Sequence, residues 1–215
     1  MKFEPMNTTQ SKEGGARTIG EQERRDARRQ QVLDAAAACF RKHGFHGASM
    51  SQICKAAGMS AGHVYNFFQS KDDIIAAFVQ INVEKIVSNM RHIAQQPDTL
   101  SALLSDLEER VAEHVDPELW SLSLEIYAEA SRNPVIAQLL REGDLLGITE
   151  LRANIRVARE RLGMPLSEAE LDSRTELIVA MFQGIQLRAL HNPGLDHQHL
   201  SKSLRTALQS LLLAP

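Results

Sequence analysis

Between residues 49 and 68 the chain reads SMSQICKAAGMSAGHVYNFF, two short helix-forming runs joined at Gly58. This stretch constrains the fold more than any other. A helix of a few residues cannot sustain itself in water, because nucleation costs more than its few hydrogen bonds return. Ser49 and Gln52 make an S-x-x-Q capping box for the first run, Gly58 ends it, and Ser60 caps the second. The second run must therefore be propped by its neighbours. Val32 and Phe40 upstream, Ile53 in the first run, and Ile74 and Phe78 downstream are available for this. With Val64 and Phe68 turned inward, Ala61, Gly62, His63, Tyr65, Asn66 and Phe67 face wholly or partly outward. Exposed aromatic side chains in such a cluster ask for a partner.

The rest of the chain predicts an all-α fold of about nine helices. Apolar residues recur at helical spacing, and the 7 prolines and 12 glycines fall mostly between the periodic stretches. A helix is expected from about Arg24 to His43, stopped at Gly44, with Arg24, Arg25, Arg28 and Arg29 crowding its first turns. The two short runs follow. A long helix starts at Ser70 or Lys71, with Asp72 and Asp73 in its first turn, and reaches about Gln95. Further helices are expected over about 99–115, 117–133, 135–162, 168–190 and 197–213. "DPEL" at 116–119, Gly163 and the Ser167/Glu170 capping box mark their ends. Three regions result: a polar, aperiodic tail at 1–22 read as disordered, a helix-turn-helix head at 23–80 with its motif at 49–68, and a larger helical body at 81–215.

Charge follows the same division. Residues 1–75 hold 11 Lys+Arg against 8 Asp+Glu, while 76–215 hold 13 against 19, so a mildly basic head accompanies an acidic body. No apolar run approaches the roughly 18 to 20 residues that span a bilayer. The N-terminus lacks the apolar stretch of a secretory signal. Cys39 and Cys54 have no metal spacing and read as small buried apolar residues of a cytoplasmic protein. No cofactor or metal is expected: His197 and His199 lie on different sides of a solvated helix start. No nucleophile, acid and base cluster in the sequence, so the chain is not read as an enzyme.

A DNA groove accounts for the exposed run. The N-terminal part of a recognition helix enters the major groove, where small residues let the backbone approach. Gly62 costs roughly 1 kcal/mol of helix propensity against alanine, but it removes the side chain that would hold the backbone off. Tyr65, Lys71 and, on the opposite flank, Arg28 and Arg29 are candidate phosphate ligands, and the caps Ser49 and Ser60 are counted among the DNA-binding residues with them. His63, Asn66 and Ala61 are candidate readers of base edges. The amides at the start of the long helix are a further phosphate site.

The segment GFHGASMSQICKAAGMSAGHVYNFFQSKDDI resembles the DNA-binding module of the TetR (tetracycline-repressor-like) transcriptional regulators. Ser49, Ile53, Ala57, Gly58, Ser60, Gly62, Tyr65, Phe68 and Lys71 match that family's pattern over about residues 28–80. The resemblance implies that Tyr65 and Lys71 bind phosphate and that Ala61 to Phe67 read bases. Four positions depart from it. Cys54 stands where Ala is usual, Met59 where Val is usual, and His63 where Thr or a small residue is common. Phe67 replaces a His or Tyr that often reaches a phosphate, which leaves apolar contact for Phe67.

The family implies a body that binds an inducer and forms a homodimer, and the sequence adds its own reasons. The 168–190 helix is apolar on more than one side, with Ile178, Phe182 and Ile185 on one and Leu177 and Met181 on another, so one side can face a partner subunit. Gly184 allows close helix approach, and the last helix offers Leu204, Leu208 and Leu211. Paired heads also suit a palindromic or near-palindromic operator. Trp120, Ser123 and Tyr127, with Phe182, Gln183 and Gln186 opposite, are the candidate wall of an effector pocket. The stretches LWSLSLEIYAEASRNPVIAQLLRE and MFQGIQLRAL are similar to the body of the choline-pathway repressors in this family, a likeness that brings no ligand with it. The leading expectation is a homodimeric repressor released from its operator by a small molecule. The alternatives are a regulator of the same fold controlled by a protein partner or by no effector, and a helical ligand-binding protein that no longer binds DNA.

Overall fold

The computed structural model describes residues 10–214, with side chains from Gly20 onward. Ten helices follow one another among the described residues: α1 Gln10–Gly47, α2 Met50–Ala57, α3 Ala61–Tyr65, α4 Lys71–Ala94, α5 Thr99–Leu103, α6 Leu107–Val115, α7 Pro117–Ala130, α8 Pro134–Arg161, α9 Glu168–His191 and α10 His197–Leu213. The expected 99–115 helix is interrupted at residues 104–106, where Asp106 adopts a left-handed φ of 50°. Counting α5 and α6 as one gives the nine anticipated. Residues 10–22, read as part of an aperiodic tail, instead continue α1, because they contain no proline and an existing helix over 24–43 can extend through Gly14, Gly15 and Gly20 without a new nucleation step. Residues 1–9 of that expected tail lie outside the described residues. No helix among the described residues is long and apolar enough to cross a membrane.

The chain forms two compact units that divide at Ile74 and Ile75. In the first, Gly44 breaks α1 at φ 70°, as expected of a helix-stopping glycine. Val32, Leu33, Ala36 and Phe40 of α1, Ile53 of α2, Val64 of α3 and Ile74 at the start of α4 are buried, with Phe68 beside them. The Gln31 amide donates to the Ala57 carbonyl at 2.7 Å and ties α1 to the end of α2. Cys39 and Cys54 are free and buried, and burial pushes the Cys39 thiol up, which keeps it in the unreactive form.

The second unit has its core among Leu103, Leu107 and Val111 of α5 and α6, Ile155 and Ala158 of α8, Leu171, Ile178 and Ile185 of α9, and Leu204, Leu208 and Leu212 of α10. This corrects the expectation for α10: Leu204 and Leu208 are 5% and 3% exposed and bury against their own chain, and Leu211 packs beside them. A single apolar stripe faces the core, because burial there removes the most apolar surface from water. The last carbonyls of α10 are satisfied by two arginines. Arg159 donates to Leu212 O (3.0 Å) and Ala214 O (2.8 Å), and Arg174 to Leu211 O and Ala214 O, both at 2.9 Å.

Candidate nucleic-acid interface

Two sets of caps shape the exposed run. Gln52 N donates to Ser49 Oγ at 3.2 Å while Ser49 N donates to Gln52 Oε1 at 2.7 Å, a complete capping box on α2. Gly58 closes α2 in the left-handed region at φ 64°, its N–H directed to the Cys54 and Lys55 carbonyls. Two residues later Ser60 caps α3 by accepting from His63 N at 3.4 Å. α3 is therefore one short turn-and-a-half, pinned by the fully buried Val64 and followed by buried Phe68.

What α3 leaves outside is the set the sequence singled out. Ala61, Gly62, His63, Tyr65 and Asn66 are exposed, and Phe67 is half-buried. His63 and Phe67 stack nearly parallel, ring centroids 6.1 Å apart with 10° between planes, and make one flat aromatic face. A Cβ placed on Gly62 would meet nothing within 4 Å, so its bare backbone opens onto free space. On the flank, the Arg29 guanidinium lies 5.2 Å from the Phe68 ring centroid, and Arg28 donates to the Gln31 side chain at 3.1 Å.

Two parts of the site differ from expectation. The Lys71 ammonium turns inward, donating to Phe45 O at 2.6 Å and Ala48 O at 2.7 Å. At the head of α4, the Asp73 carboxylate accepts from Gln69 N (2.8 Å) and Ser70 N (3.1 Å), so these amides are already occupied and cannot wait for a phosphate. Sequence reasoning placed Asp73 in the first turn of this helix but missed its capping role, although Ser70-x-x-Asp73 is itself a capping signature. It also missed Gln69, whose side chain donates to the Tyr65 carbonyl.

In the second unit the six residues read as pocket wall differ in exposure. Trp120 is buried, Ser123 and Gln186 half-buried, and Tyr127 and Gln183 exposed. Phe182 faces α6, with the Arg110 guanidinium 4.6 Å from its centroid and the His114 ring 5.3 Å away. Burial lowers both the Arg110 and the His114 pKa. Two open surface depressions are lined by other residues: Asp106, Glu108, Glu109, Ala112 and His197 in one, Glu84, Val87, Ser88, Arg91, His92 and Gln95 in the other. Trp120 Nε1 and Ser121 Oγ are buried without a hydrogen-bond partner among the described residues. On α9, Leu177 is 48% exposed, Met181 half-buried, and a Cβ on Gly184 would meet nothing within 4 Å. Leu187 (49%) and Leu190 (50%) extend this apolar surface, a continuation readable from their spacing but not anticipated.

Comparison with known proteins agrees with this geometry. Residues 32–78 match the model of bacterial regulatory proteins of the tetR family, and residues 98–213, more than half of the chain, match the C-terminal domain of BetI-type transcriptional repressors. The transcriptional regulator UidR of Escherichia coli K12 is 31% identical over 125 residues, a match covering 58% of this chain and 62% of UidR, so the chain spans under two thirds of that relative. The regulator BetI of Rhizobium meliloti is 29% identical over 168 residues, covering 75% of this chain and 77% of BetI. The structure of Salmonella enterica GusR superposes with a TM-score of 0.70 at 28% identity, over 86% of this chain and 95% of GusR. The head with its capped, glycine-opened α3 and the helical body thus carry one assignment: the chain belongs to the tetR family of bacterial regulatory proteins, with a C-terminal unit of the BetI-type repressors.

Proposed function

We propose that the chain is a homodimeric, sequence-specific DNA-binding transcriptional regulator, a repressor released from its operator by a small molecule. One observation carries the DNA contact. α3 presents Gly62 over open space, flanked by Tyr65, Asn66 and the His63–Phe67 face, and the fold gives these exposed groups no internal task. In this reading the Tyr65 hydroxyl and the arginines Arg28 and Arg29 engage phosphates, and the Ser60 hydroxyl borders them from the α3 cap. His63, Asn66 and Ala61 read base edges, and Phe67 makes apolar contact. A homodimer through the exposed apolar surface of α9, with Leu177, Met181 and Gly184, pairs two heads on a near-palindromic operator. Such a regulator works in the compartment that holds the DNA.

The effector part rests on the buried, unpartnered Trp120 N–H and Ser121 hydroxyl, since buried polar atoms ordinarily find a partner. A polar small molecule reaching them, and preferring one setting of α4, shifts the head equilibrium by its differential affinity. Trp120→Phe keeps most of the bulk and removes the donor, so a compound that raises the melting temperature of the wild type is expected to lose that effect. A second reading replaces the small molecule by a basic protein partner, favoured by the depression lined with Asp106, Glu108 and Glu109.

The DNA reading is tested by selecting 30-bp duplexes from random sequence with the purified protein and titrating the winner over a range of salt. Steeply salt-dependent binding that Tyr65→Ala abolishes is expected. Failure to select any duplex, or equal binding by Tyr65→Ala, overturns the assignment of α3.

A further inference from the structure

We propose that Lys71 is a positioning residue for the recognition helix rather than one of its phosphate ligands, an inference that rests on the DNA-binding reading above. Its ammonium makes short, charge-assisted bonds to Phe45 O (2.6 Å) and Ala48 O (2.7 Å) and stands 4.5 Å from the centroid of the Phe45 ring. Two of its three N–H groups are thereby committed inside the protein. Both carbonyls belong to the corner where Gly44, at φ 70°, turns the chain out of α1. Phe45 and Ala48 are 5% and 2% exposed, and Ala48 directly precedes Ser49, the cap of α2. Fixing these two carbonyls fixes how the chain enters α2.

At its other end Lys71 is the first residue of α4, just past the recognition helix. The link back to α3 is built from side chains. Gln69 donates to the Tyr65 carbonyl, and the Asp73 carboxylate holds the Gln69 and Ser70 amides at 2.8 and 3.1 Å. The end of α3 therefore hangs from the start of α4, and the start of α4 is pinned through Lys71 to the corner before α2. One cation closes the loop of chain that contains the whole reading surface. A swing of this ammonium out to a phosphate would break both carbonyl bonds and release the loop it closes.

The two roles differ in a measurable way. A phosphate ligand releases counterions, so its removal flattens the dependence of log Kd on log salt by about 0.9 for each phosphate no longer neutralised. A positioning residue weakens binding without changing that slope. The experiment compares wild type and Lys71→Met on the selected 30-bp duplex from 50 to 300 mM salt. Circular dichroism first establishes that the variant is folded. About tenfold weaker binding at every salt concentration with an unchanged slope is expected. A flattened slope, or unchanged affinity, overturns the proposal. Nitrogen-detected NMR of the wild type gives a reading that needs no variant and no DNA. The Lys71 ammonium protons are expected to be protected from exchange in the free protein and to stay unshifted when duplex is added. A signal seen only after DNA is added refutes the carbonyl tie. Should no duplex be selected at all, the DNA reading falls, while the ammonium signal in the free protein still decides whether the tie exists.

Discussion

At the scale of the residue, Gly62 separates what the fold needs from what the function needs. Its φ is not in the left-handed region, and an added Cβ would meet open space, so the protein itself gives no reason for glycine there. Alanine is the better helix former by roughly 1 kcal/mol. Gly62→Ala is therefore expected to leave the melting temperature of the free protein unchanged or slightly raised, while weakening duplex binding by tenfold or more. Calorimetry and fluorescence anisotropy read the two halves separately. Undiminished binding would mean that the α3 backbone does not come close to DNA. Most of this surface was readable in advance: capping by Ser49 and Ser60 and the inward Val64 and Phe68 leave few choices for what faces out. Asp73 was readable through its capping signature with Ser70, but Lys71 was not readable as it stands. Its partners are the carbonyls of residues 45 and 48, distant in sequence, and such backbone groups leave no mark in it.

At the scale of the element, α4 and α8 meet along a seam that two glycines make possible. A Cβ on Gly143 would lie 2.5 Å from Val83 Cγ2, and one on Gly147 3.2 Å from Ile86 Cγ2. Farther along, buried Asn154 donates to the Met90 carbonyl at 2.8 Å and Arg91 pairs with Glu150 at 2.9 Å. The stiff, β-branched Val83 cannot yield by rotating a long side chain. Gly143→Ala is expected to destabilise the protein by about 1–3 kcal/mol through overpacking, read as a lower denaturant midpoint. Gly184→Ala, with open space around it inside α9, is expected to cost the monomer nothing and to stabilise it by up to about 1 kcal/mol. A second contact joins α8 and α9: Arg156 grips Glu168 with two bonds at 2.6 and 2.9 Å, and Arg152 bonds Glu168 and Asp172. Arg156, then Arg152, lower the Glu168 pKa from 4.5 to about 2. A carboxylate depressed by folding stabilises above its unfolded pKa and loses that contribution as pH falls through its folded value. The melting-temperature gap between wild type and Glu168→Gln should be constant above about pH 5 and narrow from about pH 4.5 downward. It should also shrink in salt, because the pair is exposed. Helix existence and order were legible from periodicity and caps. The break within 99–115 was not, since Leu104, Ser105 and Asp106 include neither Gly nor Pro, and only the left-handed Asp106 reveals it.

At the scale of the whole molecule, the question is which apolar surface belongs to the chain and which to a partner. Sequence periodicity marks apolar faces but does not say what covers them. Leu204 and Leu208 of α10, read as interface, go to the chain's own core, whereas Leu177 on α9 stays half exposed. Leu177, Gly184 and Leu187 recur at helical spacing on α9, with Met181 beside them. Their inward counterparts Leu171, Ile178 and Ile185 are 1%, 5% and 6% exposed, so one helix carries an inner and an outer apolar face. The outer face has no cover among the described residues, and a two-fold partner presenting the same stripe would meet it with the small Gly184 at the crossing. Replacing Leu177 and Leu187 together by Glu puts charge on that face without touching the core, so the double variant is expected to remain helical but to sediment as a monomer. Its heads are then independent. A two-headed protein gains from the second contact by effective concentration, so breaking the pairing is expected to cost about a hundredfold or more in affinity for a palindromic duplex. The same variant should bind a half-site duplex as the wild-type head does. A variant that still sediments as a dimer would place the contact elsewhere on the body, and one that is monomeric yet binds the palindrome undiminished would remove pairing from the account of recognition.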